Sequence, residues 1–306
     1  MSKKIEVIEV GPRDGFQSVK ADCSLIPTEE KLKVIDELIA SGVQHMEFTS
    51  FVSPKAIPQL ADAAEVTKTV LDRYPQADLF ALVPNLRGAQ NAYALGLRKV
   101  CYVVSLSKSH NKANINRTHE QSLQAYQEIR RELPDLNVIV DLATTFGCPF
   151  EGKYEDPDQV VAFLKDYMDA GMNTCCLCDT IGIADPAQVR RVISALQKAY
   201  PSLELMVHFH DTRGLGMVNT LTAIDMGVTK VQSALGGLPL RPRRLRQFVH
   251  RGPGLDAQRD GLRHRHHILQ DPCRCQASGG GNLRSVQRTS HLHPAGDPLQ
   301  KVSALR

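Results

Sequence analysis

Eight short apolar runs, rich in Val, Ile and Leu, constrain the fold of this chain more than any other feature of its sequence. They lie at residues 5–10, 46–51, 78–83, 100–106, 137–143, 174–178, 204–209 and 229–235. Near-continuous apolar runs of this length are typical of strands buried on both faces, as in a parallel sheet. Patterns typical of amphipathic helices separate several runs, at residues 28–41, 121–132, 157–170 and 186–199. The first helix is predicted to end at Gly42, because glycine is common just beyond a helix C-terminus.

Eight strands with helices between them predict an α/β protein of the (β/α)8 class, the TIM barrel. The runs and the segments between them occupy about 236 residues, close to the ~250 that such a barrel usually has. We therefore assign residues 1–237 to one catalytic barrel domain. The competing architecture is an open, doubly wound sheet. It is disfavoured because no glycine-rich phosphate loop follows the first run.

Polar residues suited to catalysis or metal binding lie at the end of several runs or directly after them. A barrel places its active site at this position, the C-terminal ends of its strands. These residues are Arg13, Asp14, Glu47, Ser50, Asp179, Thr180, His208 and His210. His208 and His210 are two residues apart on one predicted strand, so their side chains share a face and can reach one metal ion. Taken alone, such a pair also fits two ordinary histidines near a surface. Its coincidence with an arginine and carboxylates at other strand ends favours a divalent-metal site.

The composition argues against a membrane protein and indicates a reducing compartment. No stretch approaches the roughly 20 apolar residues of a membrane span, and the polar residues 2–4 lead into a strand rather than a signal peptide. Cys175, Cys176 and Cys178 crowd the sixth run. We expect buried, reduced thiols that pack as small apolar groups in a cytoplasmic protein. A zinc site is the alternative, disfavoured because neighbouring residues of a strand point to opposite faces and no second Cys-x-x-Cys pair exists.

Seven short motifs resemble those of the 3-hydroxy-3-methylglutaryl-CoA lyases, within a wider group of metal-dependent barrel lyases and Claisen synthases. The motifs are Glu-Val-Gly-Pro-Arg-Asp-Gly at 9–15, Ser-Phe-Val-Ser-Pro-Lys at 50–55, Pro-Asn at 84–85, Asn-Ile-Asn at 114–116, Gly-Cys-Pro at 147–149, Asp-Thr-Ile-Gly at 179–182 and His-Phe-His-Asp-Thr at 208–212. The first two are specific to the lyase branch, whereas the histidine motif is shared by the wider group.

The resemblance implies a metal-dependent cleavage of 3-hydroxy-3-methylglutaryl-CoA to acetoacetate and acetyl-CoA. Asp14, His208 and His210 would bind Mg2+ or Mn2+, ions suited by a mixed set of oxygen and imidazole ligands. Arg13 would stabilise the enolate of the acetyl-CoA half. Catalytic positioning and proton transfer would fall to two strand-end carboxylates, Glu47 and Asp179. The alternative is that these carboxylates have no catalytic role and only pair with Arg13 or Lys55. The residues expected to bind the acyl-CoA substrate are Gln17, Ser50, Lys55 and Asn116.

Three departures from the lyase pattern leave the acyl group of the substrate open. Phe16, Ser18 and Arg213 stand where the best-known lyases have Leu, Asn and Tyr. A related acyl-CoA lyase, an aldolase or a Claisen synthase therefore remains an alternative. By analogy with the family we expect a homodimer.

The segment after the eighth run departs from the family altogether. There the family has Gly-Gly-Cys-Pro, a short loop and then Asn, whose Cys is catalytic and whose Asn is a further metal ligand. Here Gly236 and Gly237 are followed by Leu-Pro-Leu-Arg-Pro-Arg-Arg-Leu-Arg-Gln at residues 238–247. Permitted codons for these residues, read one base later, give Cys-Pro-Phe-Ala-Pro-Gly-Ala-Ser-Gly-Asn. We interpret residues 238–306 as a frameshifted and disordered tail. An inactive barrel is therefore an alternative function for the written chain.

The frameshift also accounts for the unequal distribution of charge. Residues 237–306 contain 13 Lys or Arg against 4 Asp or Glu, whereas the whole chain carries a formal net charge of only +4. A basic segment of this kind ordinarily favours nucleic-acid binding. Because an altered reading frame explains the surplus of arginine, we expect no nucleic-acid partner.

Overall fold

The computed structural model describes residues 4–19 and 25–235, and these ranges form a closed barrel of eight parallel strands. The strands are β1 (Glu6–Glu9), β2 (His45–Ser50), β3 (Asp78–Val83), β4 (Lys99–Ser105), β5 (Asn137–Ala143), β6 (Thr174–Asp179), β7 (Glu204–Phe209) and β8 (Lys230–Ser233). Each strand pairs with its neighbours in chain order, and β1 pairs with both β2 and β8. The predicted TIM barrel is therefore confirmed, and the open sheet is excluded because the sheet has no free edge.

Eight α-helices surround the strands in the described residues. They are α1 (Thr28–Ala40), α2 (Ala63–Arg73), α3 (Leu86–Ala94), α4 (Lys108–Ile115), α5 (His119–Glu132), α6 (Asp158–Asp169), α7 (Pro186–Ala199) and α8 (Gly216–Asp225). The four helices predicted from sequence correspond to α1, α5, α6 and α7. The prediction of a disordered tail at residues 238–306 lies outside the described residues. Within the described ranges, no helix is long and apolar enough to cross a membrane.

Local sequence signals determine where these helices begin and end. Thr118 and Gln121 form a reciprocal capping box at the start of α5, in which each side chain accepts a hydrogen bond from the other residue's backbone N–H. Asp185 caps α7 by accepting a hydrogen bond from the backbone N–H of Gln188. After α1 the chain reverses at Gly42, whose φ of +98° is readily adopted only by glycine.

The barrel has an inner and an outer apolar layer, as the alternation of strand side chains requires. The inner layer fills the barrel with Ile8, Val10, Phe80, Cys101, Ile139, Cys176 and Met206, with Cys178 packed against it. The outer layer lies between the strands and the helices and contains Cys175. All cysteines of the described residues are free thiols, in agreement with the expected reduced state. Adjacent thiols on β6 thus point into two different layers.

Candidate active site

The turn after β1 is held by the buried side chain of Glu9, to which the sequence analysis assigned no role. Gly11–Gly15 form a tight turn of π-helical type, in which the backbone N–H of Asp14 donates to the carbonyl of Val10 at 2.8 Å. The side chain of Glu9 accepts hydrogen bonds from the backbone N–H groups of Gly11 at 2.6 Å and of Leu235 at 3.0 Å. Glu9 therefore ties the turn that carries Arg13 and Asp14 to the chain leaving β8.

Asp14, His208 and His210 converge on one point at the C-terminal ends of β1 and β7. The Nε2 atoms of the two histidines are 3.0 Å apart. They lie 3.8 Å and 3.9 Å from Oδ2 of Asp14. All three side chains are buried. The predicted metal ligands are therefore brought together, although β1 and β7 are nearly 200 residues apart in sequence.

Hydrogen bonds on the far side of each imidazole orient its lone pair toward this point. The Nδ1 atom of His210 is 2.7 Å from the carbonyl oxygen of Thr180, which can only accept, so this nitrogen carries the proton. The Nδ1 atom of His208 is 2.7 Å from Oε1 of Gln232. In the neutral rings both Nε2 atoms are then unprotonated. Two lone pairs and a carboxylate oxygen facing each other repel unless a cation lies between them, which fits a divalent metal ion.

The ionisation states of the site agree with this arrangement. Burial by itself raises the pKa of Asp14, but the Arg13 guanidinium, His210 and His208 together outweigh burial and lower this pKa to about 2. Burial and the neighbouring His210 lower the pKa of His208 to about 4. At neutral pH the cluster therefore presents an anionic oxygen and a neutral imidazole, the forms that bind metals.

Arg13 is a fixed cation beside these donors. Its Nη1 donates to Oδ1 of Asp14 at 2.8 Å, and its Nη2 donates to Oε2 of Glu47 at 2.7 Å. Both carboxyl groups are buried, so the guanidinium is clamped between Asp14 in the turn after β1 and Glu47 on β2. Within the described residues, Nε of Arg13 and Oε1 of Glu47 are buried without a hydrogen-bond partner.

The remaining predicted residues occupy different surroundings. Gln17 donates to Oδ1 of Asp14 at 2.7 Å, so it supports a metal ligand directly. Ser50 ends β2 with a buried hydroxyl that has no partner in the described residues. Lys55 and Asn116 are exposed, and neither makes a hydrogen bond or ion pair to the metal-ligand cluster in the described ranges. Asn116 ends α4 in the left-handed conformation, at φ 53°.

Asp179 shapes a loop in the structure. Its two carboxylate oxygens accept hydrogen bonds from the backbone N–H groups of Ile183 at 2.9 Å and Ala184 at 3.0 Å. The loop held in this way includes Thr180, whose carbonyl orients His210. Close packing of this loop on the end of β7 requires Gly182, because a Cβ atom there would lie 2.7 Å from the carbonyl oxygen of His210. Asp179 thus positions a metal ligand through the backbone.

Two further buried polar residues near the site were missed by the sequence analysis. Gln232 lies on β8 directly beside His208 in register and orients its ring. Asp141 is buried inside the barrel on β5, where burial and the nearby Glu47 raise its pKa to about 8. Asp141 interrupts the apolar run at 137–143, and Gln232, followed by Ser233, interrupts the run at 229–235. That interruption is the signal that could have identified them.

The three departures from the lyase pattern leave the metal donors unchanged. Phe16 is buried in the protein core, and the Ser18 hydroxyl donates to the carbonyl of Gly15 at 2.7 Å. Arg213 donates to the carbonyls of Ile181 at 3.0 Å and Gly182 at 2.9 Å, so its charge lies against the loop after β6.

A closed parallel barrel with an acid, two imidazoles and a clamped arginine at its strand C-termini defines a class, the TIM-barrel enzymes with a candidate metal site. Comparison with known proteins assigns the family within it. The chain belongs to the HMGL-like family, whose sequence model matches residues 4–241. It is 40% identical over 238 residues to the hydroxymethylglutaryl-CoA lyase of Bacillus subtilis, covering 77% of this chain and 78% of that protein. The mitochondrial hydroxymethylglutaryl-CoA lyase of Bos taurus is 39% identical over 238 residues, covering 77% of this chain and 72% of that protein.

A solved structure of a lyase shares the fold. The structure resembles an HMG-CoA lyase from Acinetobacter baumannii, solved in complex with coenzyme A and 3-methylmalate, with a TM-score of 0.77 and 32% identity over 94% of this chain and 99% of that one. The relatives are thus carbon–carbon lyases.

Proposed function

We propose that this chain, with its C-terminal segment in the family's reading frame, is a divalent-metal-dependent hydroxymethylglutaryl-CoA lyase. It would cleave 3-hydroxy-3-methylglutaryl-CoA to acetoacetate and acetyl-CoA. The observation that supports the proposal best is the meeting of three metal donors, Asp14, His208 and His210, beside the clamped guanidinium of Arg13. One group of residues can therefore hold a cation, and its neighbour can meet an anion formed during the reaction.

The chemistry divides between these two parts of the site. Asp14, His208 and His210 would hold Mg2+ or Mn2+, which when bound lowers the pKa of a coordinated hydroxyl and polarises a carboxylate. When the carbon–carbon bond breaks, its electron pair passes to the acetyl-CoA half as an enolate. Arg13 would stabilise that charge, and it needs no reorganisation because Glu47 and Asp14 already hold it.

Two proton transfers complete the reaction without any net oxidation. The tertiary hydroxyl loses a proton as it becomes the ketone of acetoacetate, and the enolate carbon gains one to give acetyl-CoA. Glu47 has one buried oxygen without a hydrogen-bond partner in the described residues, so it can accept a proton. In Asp179 both oxygens are engaged by backbone N–H groups, which favours a positioning role. The cysteine of the family's loop, recovered in the shifted frame, would be the second proton-transfer group.

The acyl-CoA substrate is proposed from the relatives. The Acinetobacter baumannii lyase was solved with coenzyme A bound, and this supports a coenzyme A thioester here. We assign Gln17, Ser50, Lys55 and Asn116 to substrate binding on the basis of the family motifs. By the same analogy the enzyme would be a cytoplasmic homodimer in leucine degradation.

We also propose that a single-base frameshift near Gly237 separates a catalytic barrel, residues 1–237, from an aberrant segment, residues 238–306. The match to the family model ends at residue 241, which supports this boundary. On α8, Met217, Val218 and Leu221 are 47%, 40% and 52% exposed. A complete barrel has a helix after its eighth strand, which would pack near this apolar face. Sequencing the DNA around codon 237 tests the proposal. Codons that are incompatible with the recovered Cys-Pro-Phe-Ala-Pro-Gly loop would reject it.

Activity measurements test the function directly. The 306-residue chain and a corrected chain, read one base later from codon 238, are each assayed for acetoacetate release with Mn2+. We expect turnover by the corrected chain, and loss of it in Asp14→Ala and His208→Ala. His45→Ala is the matched control, because His45 pairs with Asp78 at the opposite end of the barrel strands. Unchanged Mn2+ affinity in both ligand variants would show that the metal site is misassigned.

The same two chains separate the alternative functions. Robust turnover by the chain as written would reject the inactive-barrel interpretation. Condensation of acetyl-CoA with 2-oxo acids, without cleavage of 3-hydroxyacyl-CoA substrates, would identify a Claisen synthase instead of a lyase.

A further inference from the structure

A second group of potential metal ligands lies inside the barrel, separate from the Asp14 cluster. It consists of Asp141 on β5 and of Cys176 and Cys178 on β6. These strands are neighbours, and Asp141 is directly opposite Cys176 in register. One ligand atom from each residue lies within 4.8 Å of the other two. The proposed lyase reaction uses none of these three side chains.

The spacing of the two thiols matches that of a metal-bound pair. Cys176 and Cys178 are two residues apart on one strand and therefore share the inner face. Their sulfur atoms are 3.9 Å apart. In a tetrahedral zinc site with Zn–S bonds of about 2.3 Å, two sulfur ligands are roughly 3.8 Å apart. A metal ion could thus bridge these thiols with almost no movement of the strand.

The third residue presents an unsatisfied ligand atom to the same place. Asp141 is only 4% exposed, and its Oδ1 atom has no hydrogen-bond partner in the described residues. A buried carboxylate oxygen without a partner is costly, and a cation would remove that cost. Cys178 is the least buried of the three, so an ion can enter from its side.

We propose that Asp141, Cys176 and Cys178 form a second metal site, selective for thiophilic divalent ions such as Zn2+ and Cd2+. Sulfur ligands favour these ions over Mg2+ and Mn2+, which prefer oxygen ligands. The Asp14 cluster contains no sulfur, so an ion bound there gives no metal–thiolate signal. Binding releases the protons of the two thiols and of the Asp141 carboxyl, which leave to solvent as the ion enters.

Occupation of this second site would inhibit the barrel. The Asp141 carboxylate lies within 4.8 Å of ligand atoms of both Glu47 and Cys101. An ion bound to Asp141 would therefore attract Glu47, which holds Arg13 in place. The structure thus connects a thiophilic-ion site to the arginine of the candidate active site.

Cadmium binding tests the proposal without an activity assay. Full-length protein with Cys23, Cys273 and Cys275 replaced by serine is titrated with Cd2+ in excess Mg2+, and the ultraviolet Cd–thiolate charge-transfer band is recorded. We expect one equivalent of Cd2+ to develop the band, and Cys176→Ala and Cys178→Ala to weaken binding by at least about ten-fold. Cys175→Ala is the matched control, because Cys175 lies on the same strand but in the outer apolar layer. It should leave the titration unchanged.

Two results would overturn the proposal. The first is a parent protein that shows no Cd–thiolate band. The second is a band that persists in both Cys176→Ala and Cys178→Ala, or that is lost equally in Cys175→Ala. Circular dichroism confirms the fold of each variant. If Cys176→Ala or Cys178→Ala does not fold, X-ray absorption of the parent protein with one equivalent of Cd2+ tests the site instead. A ligand shell without sulfur would reject the proposed site.

Discussion

Replacing Gln232 by leucine is expected to weaken metal binding although Gln232 itself does not touch the metal. Its Oε1 atom is 2.7 Å from Nδ1 of His208, and the contact is buried. This bond keeps the proton on Nδ1 and leaves the Nε2 lone pair facing Asp14 and His210. In Gln232→Leu the His208 ring is more stable with its proton on Nε2, where the N–H group can donate a hydrogen bond to Asp14 or His210. To bind a metal, the ring must return its proton to Nδ1, where the N–H group is buried without a hydrogen-bond partner.

The cost of that unpaired group sets the magnitude. An unsatisfied buried donor costs about 1–3 kcal/mol. Since about 1.4 kcal/mol corresponds to a ten-fold change in affinity, Mn2+ should bind roughly 5-fold to 150-fold more weakly. The range agrees with the ~10–100-fold losses typical when the hydrogen-bond partner of a metal-binding histidine is removed.

The assay measures free Mn2+ by electron paramagnetic resonance during titration of the corrected chain. Gln59→Leu is the matched control, because Gln59 is also a buried glutamine but contacts Ile26 and Lys31, at the junction of α1 and α2. It should alter stability without altering Mn2+ affinity. An affinity in Gln232→Leu within about two-fold of the parent, below the range expected for a lost histidine partner, would refute the reasoning. So would an equal loss in the control.

Three further predictions concern stability and catalysis. Asp62→Leu leaves the buried Lys31 ammonium, which contacts both Asp62 oxygens, without its anionic partner. The substitution should lower the free energy of unfolding by about 3–5 kcal/mol in denaturant titrations. Adding Lys31→Met should restore most of it, and no recovery would contradict a charge effect. Thr118→Ala removes the α5 capping box and should cost about 1 kcal/mol by the same measurement, whereas no change would show that the cap is redundant. In the corrected chain, Arg13→Lys cannot reproduce the two-sided contact with Glu47 and Asp14 and should lower kcat at least ~100-fold. A kcat close to the parent would remove Arg13 from its proposed role.

The barrel was predictable because its signal is local and repeated. The residues of β3, β5 and β7 coincide with predicted runs at 78–83, 137–143 and 204–209. Each run contains its own evidence of burial on two faces, and the order of strands in a parallel barrel follows the order of the chain. Strand-end positions then predicted which side chains meet. The convergence of Asp14 with His208 and His210 follows from that topology.

Individual contacts within the site were not predictable in the same way. The hydrogen bond from His208 to Gln232 depends on register between two strands. The hydrogen bond from the backbone N–H of Leu235 to Glu9 depends on how the first and last strands close the barrel. Periodicity carries no information about such register. The family motifs also placed Asp179 among the catalytic residues, and only the loop conformation shows its carboxylate bonded to backbone N–H groups.

The sequence by itself determined the barrel, its strand ends and the types of side chain gathered there, because apolar periodicity and chain order suffice for that. Tertiary structure decided which atoms face one another: the protonated nitrogen of each imidazole, the clamp on Arg13 and the pairing of Asp141 with two thiols. The physical reason is range. Burial patterns act over a few neighbouring residues, whereas hydrogen bonds and metal sites require atoms placed within tenths of an ångström by strands far apart in the chain.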